Sequence, residues 1–193
     1  ILPKELIISQ AEIPQIDMPI DGAIKLLSVG RFCNAKNFDT VPDICRRLVE
    51  DGLNVKWYLI GYGGDEALIR QKITEAGMQE HVIILGKKDN PYPYMRACDL
   101  YVQPSRCEGK AVTVREAQLL GKPVVITNYA TSASQLEDDV DGVIVPMDNA
   151  GCAVGIAALL RDPARMQQLS ENCAKRDYTN SAEVEKIYAL MED

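Results

Sequence analysis

The chain has 193 residues, 47% hydrophobic and 25% charged, which fits one ordinary globular domain with a sizeable core. Its formal net charge of −7 and pI of about 4.9 argue against a surface built for nucleic acid or an anionic membrane, though a local basic pocket for phosphate stays compatible. The six cysteines show no C-x-x-C pair and no zinc-like spacing, so we interpret them as reduced thiols of a cytosolic protein rather than as disulfides.

The first segment of the chain carries Pro3, Pro14 and Pro19 and shows no clear hydrophobic period. We interpret residues 1–22 as a linker that leads into a single domain at residues 23–193. Because the chain does not begin with methionine, we also expect it to be a piece of a longer protein.

Short apolar runs alternate with amphipathic segments of helical length along the rest of the chain. The runs predict strands at Ile24–Val29, Val55–Ile60, Val82–Leu85, Leu100–Gln103, Pro123–Ile126 and Gly142–Val145. The amphipathic segments predict helices at Phe38–Glu50, at Tyr92–Ala97 and at Lys110–Leu120, and another that begins after an Asp65 cap and ends at about Ala76. A weaker helix is predicted after residue 126. The segment from about Ala150 to Met191 predicts further helices, with a break between them at Asp162-Pro163. Such alternation is typical of a parallel sheet covered on both faces, so we predict an α/β, Rossmann-like three-layer sandwich of about six strands with a helical C-terminus.

Unusual turns follow four of the predicted strands. They lie at Gly30, at Gly61–Gly64, at Gly86 and at Pro104–Gly109. In parallel sheets, ligands bind outside the carboxyl ends of the strands. Four such turns on one edge therefore predict a single extended ligand.

The turn after the fourth strand joins two glutamates, Glu108 and Glu116, that lie eight residues apart. The first amides of a helix are unsatisfied donors with partial positive charge, so residues 109–112 form a natural seat for a diphosphate. Glu116 lies about six residues into the helix, roughly 9 Å deeper than this seat. That spacing suits a diphosphate with a sugar at one end and a ribose at the other, because carboxylates accept hydrogen bonds from hydroxyl pairs.

Glu116 can also be interpreted as an ordinary solvated helix residue. However, Arg115, Gln118 and Lys122 account better for the solvent-facing stripe of this helix, whereas Glu116 shares a face with Leu119. A carboxylate on a partly apolar face needs a polar partner. We therefore favour a binding role.

Cations flank the same predicted edge of the sheet. Arg31 and Lys36, after the first strand, are either surface charges or phosphate ligands, and Lys87 is either a rim charge or a neighbour of the base. The only histidine, His81, precedes a strand, and we assign it a structural role. With no Ser/His/Asp or Cys/His cluster, hydrolase chemistry has little support.

The glycine turn Gly61–Gly64 invites comparison with a dinucleotide-binding fingerprint. It lacks the full G-x-G-x-x-G pattern and follows the second strand instead of the first. We therefore prefer a tight turn that lets a ligand or the partner domain approach, and we disfavour a nicotinamide-binding domain.

From about Lys25 to Leu160, the chain resembles the C-terminal domain of GT-B-fold glycosyltransferases, specifically the large retaining family 4. The combination of E-x7-E with a G-K-P-V-V run is the specific part of the resemblance. The residues that carry it are Val29-Gly30-Arg31, Lys36-Asn37, Gly61-Tyr62-Gly63, Gly86, Ala97-Cys98-Asp99-Leu100, Pro104-Ser105, Glu108-Gly109, Glu116-Ala117, Gly121-Lys122-Pro123-Val124-Val125 and Asp141-Gly142.

The resemblance implies transfer of a sugar from a nucleotide diphosphate sugar to an acceptor with retained anomeric configuration, without a metal or other cofactor. It implies that Glu108 contacts the donor sugar, that Glu116 binds the ribose hydroxyls, and that Arg31 and Lys36 neutralise the diphosphate leaving group. The other donor-binding positions that it implies are Gly109, Lys110, Ala111, Val112, Gly30, Gly61, Gly86 and Lys87.

The chain departs from the family pattern at two places. Lys110 and Ala111 stand where the family often has an aromatic residue and a second glycine, which bears on the choice of donor. The segment Asn128–Gln135 lacks the usual glycine-rich turn before the next helix.

The resemblance also implies partners that this chain does not contain. A carbohydrate or lipid-linked acceptor is expected to be held by an N-terminal domain, so we expect the isolated chain to bind donor weakly and to be inactive. We expect a cytoplasmic location, at the membrane face in the full-length protein, and a role in polysaccharide biosynthesis. Two alternatives stay open: a non-catalytic nucleotide-sugar-binding module and a GT-B-fold nucleotide-sugar 2-epimerase.

Overall fold

The computed structural model describes residues 2–14 and 17–178. It contains one sheet of six strands, all parallel, in the order β3-β2-β1-β4-β5-β6. The strands are β1 (Ile24–Val29), β2 (Val55–Ile60), β3 (Val82–Gly86), β4 (Leu100–Gln103), β5 (Val124–Thr127) and β6 (Val143–Val145). The predicted α/β sandwich with about six parallel strands is confirmed, and each strand lies within one residue of its predicted bounds.

Helices cover both faces of this sheet. They are α1 (Lys4–Ala11), α2 (Val41–Glu50), α3 (Glu66–Ala76), α4 (Tyr92–Ala97), α5 (Val112–Leu119), α6 (Ser132–Gln135), α7 (Asn149–Leu160) and α8 (Pro163–Lys175). One apolar core joins the sheet to α2, α3 and α7, and a second joins it to α1, α4 and α5. In β1, Leu26 belongs to the first core and Leu27 to the second, which explains why its apolar residues are continuous.

Within the described residues, no helix combines the length and the apolar composition that a bilayer span requires. The break predicted between the last two helices is confirmed, because Asp162 caps α8 by accepting a hydrogen bond from the Arg165 amide at 3.1 Å. The predicted helical residues after 178 lie outside the described part of the chain.

The start of the chain is more ordered than its prolines suggest. Helix α1 buries Ile7 and Ala11 in the second core, beside α4, where the sequence analysis predicts no regular element. Farther along, Asp17 pairs with Lys88, which tethers this segment to the loop after β3. Helix α1 and Asp17 therefore contact the rest of the domain, while the domain boundary at residue 23 stays a prediction.

Helix α5 differs from its prediction in two respects. It begins at Val112, not at Lys110, because Ala111 has a ψ of 81°, outside the helical range, and its amide donates to the Gln135 side chain at 3.0 Å. The solvent-facing assignment of Gln118 is wrong: this side chain is fully buried and donates to the Asp141 carbonyl oxygen at 2.9 Å. The loop before β6 covers this face of α5, which sequence periodicity cannot reveal.

Candidate functional site

The order of the strands places a crevice between β1 and β4. Strand β1 is followed in the chain by its neighbour β2 on one side, whereas β4 is followed by β5 on the other side. Loops leaving the carboxyl ends of β1 and β4 therefore diverge, and such a switch point is where open α/β sheets bind ligands. We call these segments the β1 loop (residues 30–40) and the β4 loop (residues 104–111).

The two loops are joined into one unit. The Arg106 guanidinium donates to both carboxylate oxygens of Asp39, each at 3.1 Å, and the Arg106 amide donates to the Ala35 carbonyl oxygen at 2.8 Å. Buried Asn37, which adopts a left-handed φ of 62°, donates from Nδ2 to the Pro104 carbonyl oxygen at 2.9 Å. Paired hydrogen bonds of this kind fix orientation, so the loops present their side chains in a defined arrangement.

Glu108 lies at the centre of this unit, with only 6% of its side chain exposed. Its Oε1 atom accepts three hydrogen bonds, from Lys36 Nζ at 2.5 Å, Ser105 Oγ at 2.5 Å and Gln103 Nε2 at 3.1 Å. Its Oε2 atom accepts none from the described residues. Glu108, which is predicted to contact the donor sugar, is thus anchored through one of its two oxygens. Lys36, which is predicted to bind phosphate, is its ion-pair partner.

A second set of contacts fixes the turn that follows Glu108. Gln135 donates from Nε2 to the Gly109 carbonyl oxygen at 3.3 Å and accepts from the Ala111 amide, while Thr131 Oγ1 donates to the Glu108 carbonyl oxygen at 2.7 Å. The Ala111 amide is therefore not available as a ligand donor. The Val112 amide is also occupied, since it donates to the Lys110 carbonyl oxygen at 3.0 Å.

Of the four backbone amides predicted to bind a diphosphate, at residues 109–112, only two are therefore available. Among the described residues, the amides of Gly109 and Lys110 have no acceptor within the chain. The side chain of Lys110 is exposed. Exposed Arg31 likewise has no partner in the part of the chain that the structure describes, so its guanidinium is available to an anion.

Glycines of three predicted turns contact one another. A Cβ added to Gly61, whose φ is +150°, would lie 1.8 Å from the Gly30 carbonyl oxygen, and the Gly61 amide donates to the Gly86 carbonyl oxygen at 3.0 Å. The tight turn requires glycine at Gly61 because the backbone of the β1 loop passes so close, while the approach of a ligand or a partner domain here stays a prediction. Lys87, just beyond, places its Nζ atom 5.4 Å from the centre of the Tyr62 ring.

Glu116 is buried, with 8% of its surface exposed, as its helix face predicts. Burial raises the pKa of its carboxyl group above the ordinary value of 4.5, and interaction with the Tyr92 side chain opposes that rise. Burial together with this carboxylate raises the pKa of Tyr92 to about 12. Tyr92 is therefore the polar partner that a carboxylate on this partly apolar helix face needs, and the sequence alone did not identify it.

Several residues of the site escape sequence reasoning. Gln103 and Gln135 have no local signature, although Gln103 interrupts an otherwise apolar strand, and a fully buried amide needs partners. His81 lies outside the site: its Nδ1 atom is 2.9 Å from the Val55 carbonyl oxygen, at the opposite edge of the sheet.

Comparison with protein families identifies one match, to the model described as glycosyl transferases group 1, over residues 9–176. Among characterised relatives, the chain is 30% identical over 152 residues to N-acetylgalactosamine-N,N'-diacetylbacillosaminyl-diphospho-undecaprenol 4-alpha-N-acetylgalactosaminyltransferase of Campylobacter jejuni. It is 28% identical over 145 residues to the amylovoran biosynthesis glycosyltransferase AmsK of Erwinia amylovora. The matches cover 78% and 71% of this chain, but only 40% and 35% of those proteins.

Solved structures support the same fold. Staphylococcus aureus TarM, solved with fondaparinux, alpha-GlcNAc-glycerol and UDP, superposes with a TM-score of 0.80 at 19% identity, over 94% of this chain and 38% of TarM. Anabaena HepE with UDP gives 0.79 at 22% identity, over 88% of this chain and 49% of HepE. At these identities, the likeness establishes the fold alone.

Proposed function

The chain belongs to the group 1 glycosyl transferases, and from this premise we propose that it forms the donor site of a retaining hexosyltransferase. It binds a nucleotide diphosphate sugar in the crevice between the β1 and β4 loops. The observation that carries the proposal is Glu108, which is buried at the switch point with Oε1 saturated by donors and Oε2 unoccupied by any described residue.

The sugar and the ribose are assigned to the two glutamates. Glu108 accepts a hydrogen bond from a hydroxyl of the sugar through Oε2, and Glu116 accepts from the ribose hydroxyls. Carboxylates suit both tasks because each oxygen has two lone pairs. The burial of both side chains supports these roles, because hydrogen bonds to a desolvated carboxylate discriminate strongly between ligands.

The diphosphate is assigned to positive groups at the same edge. Arg31 and Lys36 bind its oxygens, and the amides of Gly109 and Lys110 add two neutral donors. When the bond between the sugar C1 atom and the diphosphate oxygen breaks, negative charge grows on the leaving group, and these donors stabilise it. The proposal includes no metal, because Arg31, Lys36 and the two amides all donate to the diphosphate, although Lys36 shares its charge with Glu108.

The acceptor is assigned to an N-terminal domain of the complete protein, which this chain does not include. Relatives named for undecaprenol-diphosphate-linked and amylovoran substrates support a lipid-linked or polysaccharide acceptor. We propose accordingly that the isolated chain binds donor without transferring it, and that the complete protein works at the cytoplasmic membrane face.

Calorimetric titration with UDP, GDP and ADP tests the donor site. We expect one of these nucleoside diphosphates to bind. Arg31→Gln should lower the affinity for it about tenfold without changing the affinity for the corresponding nucleoside. Arg70→Gln, on the exposed surface of α3, is the matched control. If a folded sample binds none of the three nucleotides, this chain does not form a donor site.

A transfer assay on the complete protein separates a transferase from a binding module. Glu108→Gln keeps the size of the side chain but removes its charge, so activity falls by at least tenfold if Glu108 contacts the reacting sugar. Unchanged activity rules out that contact.

A further inference from the structure

We infer that Gln103 is a positioning residue that orients the Glu108 carboxylate toward the donor sugar, an inference that rests on the proposed function. Gln103 is fully buried at the end of β4 and lies between two hydrogen-bonding partners. Its Nε2 atom donates to Glu108 Oε1 and to Ser105 Oγ, each at 3.1 Å. It contacts the carboxylate from inside the protein, so it holds Glu108 without touching the ligand.

Tyr101 determines which way the Gln103 amide points. The Tyr101 hydroxyl lies 2.8 Å from Gln103 Oε1 and 3.3 Å from the Val29 carbonyl oxygen, and its single proton goes to one of these acceptors at a time. Donation to Oε1 directs the amide oxygen toward Tyr101, and the amide nitrogen faces Glu108 because a carboxylate only accepts. The same hydroxyl accepts from the Val29 amide at 3.3 Å. Val29 immediately precedes the β1 loop, so a buried chain of hydrogen bonds joins the end of β1 to the carboxylate of the β4 loop.

This chain of bonds matters most when a diphosphate is bound. Lys36 is one of three donors on Glu108 Oε1. A diphosphate attracts Lys36, and the ion pair with Glu108 then weakens. Gln103 and Ser105 are internal to the β4 segment and are not drawn away, so they keep Oε1 occupied and Oε2 directed outward.

The inference predicts an effect confined to the sugar. Gln103→Met preserves the approximate volume of the side chain but removes both its donor and its acceptor. Glu108 then rotates more freely and contacts the sugar less well, whereas the ribose and diphosphate contacts come from other residues. The ratio of the dissociation constant for the nucleoside diphosphate to that for the nucleotide sugar should fall about tenfold, with the diphosphate itself bound as before.

The experiment compares UDP with UDP-glucose and UDP-N-acetylglucosamine, and GDP with GDP-mannose, by calorimetry on this chain. Gln118→Met is the matched control, because Gln118 is equally buried but donates to the Asp141 carbonyl oxygen outside the site, and we expect its ratio to equal the wild-type ratio. Tyr101→Phe, which removes only the hydroxyl that orients the amide, should lower the ratio by a smaller factor.

The outcomes separate the inference from the proposed function. An unchanged ratio in Gln103→Met overturns the inference, as does an equal loss of affinity for the diphosphate and the nucleotide sugar, which indicates a structural role only. Failure of the wild-type chain to bind any of these nucleotides contradicts the proposed donor site itself. A fall in the ratio for Gln103→Met but not for Gln118→Met supports both.

Discussion

Replacement of Glu116 by Gln is expected to stabilise the fold at neutral pH while weakening nucleotide binding. Burial raises the pKa of this carboxyl group above its ordinary value of 4.5, so the folded protein holds the proton more tightly than the unfolded chain. Between the two pKa values the folded state binds more protons, and its stability therefore decreases as the pH rises. Glutamine does not titrate, so the variant avoids this loss.

The magnitude follows from the burial of the side chain. A buried polar group with few partners costs the folded state on the order of 1 kcal/mol, so we expect a gain of roughly that size in the unfolding free energy of Glu116→Gln at pH 7. The glutamine side chain keeps a carbonyl oxygen beside Tyr92, so we expect the loss of their interaction to be small. Affinity for a nucleoside diphosphate should nevertheless fall about tenfold, because a neutral amide binds the ribose hydroxyls less strongly than a carboxylate.

Urea unfolding of both proteins from pH 4 to pH 8 measures the first effect, and calorimetry measures the second. The difference in unfolding free energy should be near zero at pH 4 and should grow as the pH rises above 4.5. Glu80→Gln, at an exposed position near the opposite edge of the sheet, serves as the control. A variant less stable than wild type at pH 7 refutes the burial argument, and an unchanged nucleotide affinity refutes the ribose role.

Three further substitutions test the fold and the loops. Gly61→Ala places a Cβ 1.8 Å from the Gly30 carbonyl oxygen at a φ of +150°, so its unfolding free energy in urea should fall by roughly 3 kcal/mol or more. The control is Gly64→Ala, whose Cβ meets nothing within 4 Å and whose unfolding free energy should fall by less than about 1 kcal/mol. Gln135→Ala removes both side-chain contacts to the turn after Glu108, so amide hydrogen exchange in this turn should accelerate; unchanged exchange contradicts the bracing role. Burial raises the pKa of Asp43, but hydrogen bonds from arginine and asparagine side chains outweigh burial and lower the pKa from 3.8 to about 2. The wild-type protein should therefore lose stability as the pH falls from about 4 to 2 in an acid titration, and Asp43→Asn should lose less stability over that range.

The strands could be predicted from the sequence because their physical signal is local. A strand buried on both faces must be apolar throughout, and Val55–Ile60 and Leu100–Gln103 show such runs and end at turn residues. Helix α1 was not predicted, because only Ile7 and Ala11 are buried and two apolar positions do not establish a period. The error at Gln118 has a similar origin, since the Asp141 carbonyl oxygen that receives its hydrogen bond is remote in the sequence.

The candidate site could be predicted only in part. Glu108 and the cations of the β1 loop stand out because charged residues at strand ends are chemically conspicuous, and Glu116 stands out because of its spacing from Glu108 and its partly apolar helix face. The contact between Lys36 and Glu108 joins residues 72 positions apart, and it depends on β1 and β4 being neighbours in the sheet. Gln103 and Ser105, which also donate to Glu108, are neutral, and only the three-dimensional structure reveals where their side chains point.

The ion pair between Lys36 and Glu108 gives the buried carboxylate a counter-ion from within the chain. A buried carboxylate left alone is costly, and this pairing offsets that cost. An incoming diphosphate therefore exchanges one anion for another at Lys36, so the Coulombic gain there is smaller than the charge of the lysine suggests. Long-range attraction of the diphosphate then depends mainly on exposed Arg31. Added salt should therefore slow association more than it weakens the final affinity.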